Sequence, residues 1–473
     1  MRYYKRNLII YSVLLILFAG CGSRNGRNNN SDDLQPVDKT TFLKIDSLPQ
    51  AKPRVNVYIE NSGSMDGFVN GITSFKDVIG NLLVNLKYYY DEDNIQIFFI
   101  RNGKATNGED EKLAIIPACE ANIADFARAI DLSWRNDKPN RGQNTNLNNI
   151  FKTILDSTPD NTISILISDC IYSIGNGSTV NLLNQEKNTT KDAFLTKFKK
   201  QESKHYATMI VKMMSEFNGE YFPYTGDVNH FRFNGELPYY ICVIADQNSM
   251  KQFNENIILK QDPNQGFKNK YIISNEKLDS IYYSVLLSTD NVGRFRPQRK
   301  FSTSNYIHGI EDVSVVDRGG GCSRRSSKSI DEKKKLQFAI AIDLSKIDVD
   351  ESYLLNPSNY SLSNKDFVVK EVFPLEKNTT GAGDWVKITK SNPSHKIILE
   401  ATGTAYSDVV LSLNKQMPVW IDSCNILDDT SLEKIKGGKS FGLKYWIEGI
   451  TEAYETSYKD NKSYFEIEIK IKR

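Results

Sequence analysis

The chain has 473 residues, of which 40% are hydrophobic, 11% aromatic and 25% charged, with a formal net charge of +2. This composition is typical of folded globular proteins and argues against a disordered chain, and the length predicts roughly three structural units. A near-neutral chain has no net field to attract nucleic-acid phosphates, so we expect no nucleic-acid partner.

The amino terminus has the pattern of an export signal. Basic residues within 2–6 precede the apolar run 8–19, which suits a signal peptide and is too short to span a bilayer. The run ends in Phe18-Ala19-Gly20-Cys21, which resembles the lipobox of bacterial lipoproteins, with Phe18 where leucine is usual. The resemblance implies that 1–20 is a signal peptide and that Cys21 carries a lipid. An ordinary secretory signal cut elsewhere is the alternative.

The lipid would hold the protein in the cell envelope. Gly22 is not the aspartate that retains lipoproteins at the inner membrane, so the outer membrane is favoured. Residues 21–53 are polar and rich in asparagine, which predicts a flexible tether. The five other cysteines include no Cys-x-x-Cys pair, so no zinc site is indicated, and a single disulfide stays open.

Residues 54–255 are predicted to form an α/β domain, because short apolar runs alternate with longer amphipathic stretches. Strands are predicted at 55–59, 95–100, 163–168 and 239–245, and helices at 72–86, 123–132, 147–155 and near 190–200. The uninterrupted apolar run 163–168 indicates burial on both faces. Asn218-Gly219 between two strand-like runs predicts a hairpin turn.

Residues 256–473 are predicted to form a β-rich, sandwich-like domain. Strand-like runs occupy 280–288, 336–344 and 465–471, and the last alternates apolar with charged residues in the manner of a half-buried strand. One amphipathic helix, with an apolar stripe between 443 and 454, precedes that strand. The Gly, Ser, Lys and Arg-rich stretch 318–335 is interpreted as a surface loop, with a basic binding loop as the alternative.

Three separated pieces carry oxygen ligands. Glu60, Ser62 and Ser64 follow the first predicted strand, Thr145 lies in a loop that opens a helix, and Asp169 follows the buried strand. In a doubly wound, mostly parallel sheet, residues at the carboxyl ends of neighbouring strands converge on one crevice. Two carboxylates and three hydroxyls there would suit a hard cation such as Mg²⁺ or Mn²⁺.

These pieces resemble the metal-ion-dependent adhesion site of the von Willebrand factor type A family, whose first motif is Asp-x-Ser-x-Ser. Glu60, Ser62 and Ser64 match that motif, Thr145 matches the family's threonine, and Asp169 matches its last aspartate. The resemblance covers 54–255 and implies a doubly wound von Willebrand type A-like fold. The chain departs from the family at Glu60, where aspartate is usual, and at Cys170, where glycine is common.

The resemblance implies a binding function. Neutral hydroxyl ligands leave the cation much of its charge, so it attracts an outside carboxylate from a partner protein. We therefore expect a lipid-anchored envelope protein that binds a protein ligand through a metal, with no catalytic residues. A structural scaffold with an inactive metal site is the first alternative, and a metal-assisted hydrolase is the second. The scattered histidines and incomplete glycine motifs indicate no other enzyme class.

Overall fold

A computed structural model of the chain describes residues 52–103, 113–119, 122–138, 146–174, 177–200, 205–225, 230–258, 265–314, 336–402, 407–457 and 462–472. The predicted signal peptide, Cys21 and almost all of the tether lie outside the described residues, as do Thr145, Cys322 and the 318–335 loop. Among the described helices, none has the length and apolar character needed to cross a membrane.

Seven strands form one mixed sheet: β1 (Arg54–Glu60), β2 (Ile95–Asn102), β3 (Leu113–Pro117), β4 (Thr162–Ser168), β5 (Tyr206–Tyr221), β6 (Phe231–Asp246) and β7 (Phe267–Ser274). Their order is β3-β2-β1-β4-β6-β5-β7. β1 lies parallel to both β2 and β4. Ile59 near the end of β1 pairs with Ile167 near the end of β4, so β1 and β4 end at the same level of the sheet. This parallel centre is the part of the sheet that positions the candidate site.

Helices cover both faces of this sheet. They are α1 (Asp66–Val69), α2 (Ser74–Tyr89), α3 (Ile123–Arg128), α4 (Ile130–Asp137), α5 (Leu147–Asp156), α6 (Thr179–Lys200) and α7 (Gln247–Phe253). Side chains alternate along a strand, so Val57 packs into the core with α2, whereas its neighbour Tyr58 packs into the core with α5 and α6. The α/β interpretation is therefore confirmed, and β4 is buried on both faces as its apolar run predicts.

The sheet is not mostly parallel, which corrects the sequence-based prediction. Among the described strands, two of the six pairings are parallel and four are antiparallel. The hairpin of β5 and β6 is also longer than predicted, because β5 runs straight through Asn218-Gly219 and pairs with β6 as far as Tyr221 and Phe231. A built Cβ on Gly219 would approach the Gly67 Cα to 2.7 Å, so this glycine allows close packing rather than a turn.

Two further sheets share a second core. The first has order β12-β15-β18-β10-β9 and the second β13-β14-β11-β8. Their strands are β8 (Tyr283–Val285), β9 (Arg294–Pro297), β10 (Gly309–Ser314), β11 (Gln337–Ile342), β12 (Tyr360–Leu362), β13 (Phe367–Pro374), β14 (His395–Ala401), β15 (Val409–Asn414) and β18 (Ser463–Ile471), with the helices α8 (Glu351–Leu354) and α9 (Ala382–Ile388) between them. Side chains of both sheets, including Phe338, Leu399 and Phe465, pack together, as in a sandwich.

The helices and strands do not separate into two domains at residue 255. β7 lies on the edge of the seven-stranded sheet, and the chain returns to that sheet after β15 with α10 (Val419–Cys424), β16 (Asn425–Ile426), α11 (Leu432–Ile435), β17 (Ser440–Phe441) and α12 (Leu443–Ser457). Trp446 on α12 is fully buried and stacks on Phe151 of α5 with ring centroids 5.7 Å apart. The predicted amphipathic helix therefore packs on the α/β layer, and Lys52–Arg473 forms one compact unit.

Candidate metal centre

The first predicted ligand piece lies where β1 leaves the sheet. Glu60 is the last residue of β1, and Gly63–Met65 forms a single 3₁₀ turn directly before α1. Ser62 occupies the position before this turn in extended backbone conformation, yet its hydroxyl does not cap the turn. The hydroxyl is therefore directed elsewhere.

Ser62 and Ser64 form a pair of hydroxyls. Their Oγ atoms lie 3.0 Å apart, and the Ser62 side chain is 2% exposed. Two ligands at right angles around Mg²⁺, each about 2.1 Å from the ion, would be separated by about 3.0 Å. The spacing of this pair therefore fits two adjacent corners of an octahedral site.

Asp169 stands beside this pair at the end of β4. Its carboxylate accepts a hydrogen bond from the Ser64 hydroxyl and another, 3.3 Å long, from the Ile171 backbone N–H. Burial raises the pKa of Asp169, because taking the carboxylate out of water penalises its charged form. No basic side chain pairs with this carboxylate among the described residues.

Cys170 adopts a backbone conformation that favours glycine. Its φ angle is 52°, in the left-handed region that residues with a Cβ rarely occupy. Cys170 stands at the position where the von Willebrand type A family, which the sequence resembles, commonly has glycine. The cysteine side chain is 1% exposed and packs among apolar residues, and this burial offsets part of the strain.

Glu60 contacts the end of β4 through its carboxylate. Its carboxylate accepts a hydrogen bond from the Ser168 hydroxyl, which in turn accepts one of 2.8 Å from the Cys170 backbone N–H. Glu60 is 5% exposed, and both Glu60 and Asp169 act electrostatically on Cys170. Four of the five predicted ligands (Glu60, Ser62, Ser64 and Asp169) therefore meet at one edge of the sheet. The fifth, Thr145, lies outside the described residues.

A buried ion pair supports the ligand loop, and no spacing pattern in the sequence predicted it. Arg101, 3% exposed, makes two hydrogen bonds of 2.6 and 2.7 Å to the Asp137 carboxylate. The Asn61 side-chain amide donates to the same carboxylate at 2.9 Å, which ties the ligand loop to α4. The local signal available was an arginine at the end of the apolar run 95–100.

The long hairpin forms a wall beside the site. β5 and β6 extend beyond the carboxyl end of β4, since β4 pairs with β6 through Ser168 and Tyr240 and no further along that direction. Ser64 and Asp169 line a small cavity of about 10 Å³ together with aromatic and apolar side chains of the hairpin. This is about the space of one water molecule.

Residues 425–441, which we call the capping segment, close the cavity on another side. Lys439 and Ser440 line it, and the Ser440 hydroxyl is 2.7 Å from the Tyr240 hydroxyl. The segment is also anchored by Asp429, whose carboxylate accepts hydrogen bonds from the Tyr221 hydroxyl and the Tyr224 N–H. The candidate site is thus enclosed by the hairpin and the capping segment.

The donor set is rich in hydroxyls and poor in charge. In the part of the chain that the structure describes, no three His, Cys, Asp or Glu side chains come together as a metal-binding group. The site offers two carboxylates and two hydroxyls, which are oxygen donors that Mg²⁺ and Mn²⁺ accept. Soft metals that prefer thiolate or imidazole ligands do not fit this set.

Comparison with known proteins gives no match. No family model matches the chain, and neither a curated protein nor a solved structure is significantly similar to it.

Proposed function

We propose that this protein is a lipid-anchored envelope protein that binds a protein partner through a divalent cation held by Ser62, Ser64 and Thr145, with Glu60 and Asp169 bound directly or through water. Mg²⁺ or Mn²⁺ would be the cation. The proposed partner offers a carboxylate to the cation, as the von Willebrand type A resemblance implies. The protein would act as a binding protein and not as an enzyme.

The observation that carries this proposal is the buried carboxylate of Asp169. An anion that is removed from water without a basic partner is costly, and its raised pKa reflects that cost. A divalent cation beside Ser64 would supply the missing positive charge. The 3.0 Å spacing of the two serine hydroxyls supports the same position for the ion.

A second function is favoured by the enclosure of the site. The cavity that Ser64 and Asp169 line is small, at about 10 Å³, so the hairpin and the capping segment leave a partner carboxylate little room there. The Glu60 carboxylate also accepts a hydrogen bond from the Ser168 hydroxyl. These two features support the alternative of a structural scaffold with an inactive metal site.

Calorimetric titration of the purified chain, from residue 22 onward, with Mg²⁺ and then Mn²⁺ distinguishes the two functions. The binding protein should take up one ion, and Ser64→Ala should abolish the uptake. Ser361→Ala is the matched control, because Ser361 is an exposed serine on β12 of the other core. Its titration should equal that of the parent protein.

The outcome separates the candidates in a simple way. A parent protein that releases no heat with either ion, in buffers that differ in ionisation enthalpy, would support the scaffold. Ion binding that survives Ser64→Ala would place the ion elsewhere. A phosphatase and esterase screen addresses the metal-assisted hydrolase.

The proposed anchor has its own test. Cys21→Ser should prevent lipid attachment and leave the chain uncleaved or soluble. If the cleaved Cys21→Ser protein still fractionates with membranes, the lipoprotein interpretation is wrong.

A further inference from the structure

A lysine and a cysteine meet next to the capping segment. The Lys212 Nζ on β5 is 2.8 Å from the Cys424 Sγ at the end of α10 and 2.5 Å from the Gly438 carbonyl oxygen. Lys212 is 4% exposed, whereas Cys424 is half-buried and is a free thiol. The amine is thus hidden, while its sulfur neighbour is reachable from solvent.

The charge of Lys212 has no carboxylate partner among the described residues. Its hydrogen-bond acceptors there are the thiol sulfur and the Gly438 carbonyl. Among the described residues, the Cys424 sulfur is therefore the side-chain partner of the buried Lys212 amine.

The surrounding backbone keeps the two atoms together. Gly438 has a φ of 72°, and a Cβ built on it would lie 3.4 Å from the Lys212 Nζ and 3.0 Å from the Met214 Sδ. A glycine is therefore what lets the capping segment approach the amine. Tyr240, the β6 partner of Lys212, holds the next part of the segment through Ser440.

We propose that Lys212 and Cys424 are an oxidative modification site, at which a single oxygen atom bridges Nζ and Sγ. In the balanced reaction, the amine, the thiol and one dioxygen give the N–O–S bridge and one water. The nitrogen and the sulfur each lose one hydrogen and two electrons, and dioxygen accepts the four electrons. With peroxide as oxidant, the first molecule converts the thiol to a sulfenic acid and the second completes the bridge, with three waters released in total.

The bridge would fix α10 to β5 at the edge of the capping segment. Because Cys424 directly precedes that segment, the oxidised protein would hold the segment more firmly against the sheet than the reduced protein. This inference does not depend on metal binding, since neither residue belongs to the candidate metal centre.

Mass spectrometry of the full-length mature chain tests the bridge. After treatment with hydrogen peroxide, we expect the intact mass to gain one oxygen and lose two hydrogens, and a protease digest to show the peptides of Lys212 and Cys424 joined. Treatment with a phosphine reductant should restore both separate peptides. Cys119→Ser, which removes another half-buried cysteine, should leave the joined peptide unchanged.

Two variants make the result decisive, once their circular dichroism spectra match the parent. Cys424→Ser should give no joined peptide. Lys212→Arg should give none either, and its Cys424 should instead carry a sulfenic acid that dimedone traps. Oxygen on Cys424 with an unmodified Lys212 in the parent protein, or no reaction of the pair with peroxide, would overturn the proposal.

Discussion

Asp429→Asn should stabilise the protein at neutral pH, although Asp429 anchors the capping segment. Asp429 is 0% exposed, and its two carboxylate oxygens accept hydrogen bonds of 2.8 Å from the Tyr221 hydroxyl and 3.0 Å from the Tyr224 N–H. Burial raises the pKa of Asp429 to about 6, chiefly because the charged carboxylate is removed from water. An asparagine at this position accepts from Tyr224 and donates to the Tyr221 oxygen without any charge.

The magnitude follows from the two pKa values of Asp429. The pKa rises from 3.8 to about 6 on folding, so the folded state binds the proton more tightly than the unfolded chain. Stability from this group is complete at low pH and is lost between about pH 4 and pH 6, at roughly 1.4 kcal/mol per pKa unit. Above pH 6 the ionised carboxylate costs about 3 kcal/mol, and Asp429→Asn removes that cost.

Urea unfolding of the parent and of Asp429→Asn between about pH 3.5 and about pH 7.5 measures this difference. This range covers the interval from about pH 4 to about pH 6, in which the effect of the Asp429 charge develops. The stability of Asp429→Asn relative to the parent should rise across that window and then stay constant. The neighbouring Asp428 is the control of opposite sign. Hydrogen bonds from Lys434 and Thr430 lower the pKa of Asp428 to about 2, so Asp428→Asn should be neutral or destabilising at pH 7. A stability difference for Asp429→Asn that is independent of pH would show that the buried charge of Asp429 does not cause it.

Two further predictions concern the support of the candidate site. Gly67→Ala should destabilise the fold by about 1–3 kcal/mol, because its new methyl group would overlap the Phe217 ring, whereas Gly383→Ala, with open space around it, should change stability little. Equilibrium urea unfolding of both variants checks this pair. Asp137→Asn should cost about 3 kcal/mol by the same assay, since it leaves the buried Arg101 guanidinium without its carboxylate. An Asp137→Asn protein as stable as the parent would show that the ion pair contributes nothing.

Much of the α/β layer could be predicted from local patterns. The run 163–168 is buried on both faces of β4, and the apolar period of 72–86 becomes α2, because each pattern reflects burial of residues close in sequence. The positions of Glu60 and Asp169 at neighbouring strand ends follow from the same patterns. Each of these features depends on residues that are close together in the sequence.

Other features depend on contacts between distant residues, and local patterns missed them. Asn218-Gly219 has the composition of a turn, yet Gly219 lies in a continuous strand because Gly67 packs against it. The apolar stripe of α12 predicts a buried helix face but does not identify its partner, which is α6 of the α/β layer. The position of Ser440 beside the candidate metal centre likewise depends on a segment far along the chain.

We expect a divalent cation to bind at the serine pair beside Asp169, and a crystal structure with Mn²⁺ would locate it. Crystals soaked in Mn²⁺ and measured above the manganese absorption edge should show one anomalous peak about 2.2 Å from the Oγ atoms of Ser62 and Ser64. An anomalous map without a peak at the serine pair, or with manganese bound only elsewhere, would show that this pair is not a cation site.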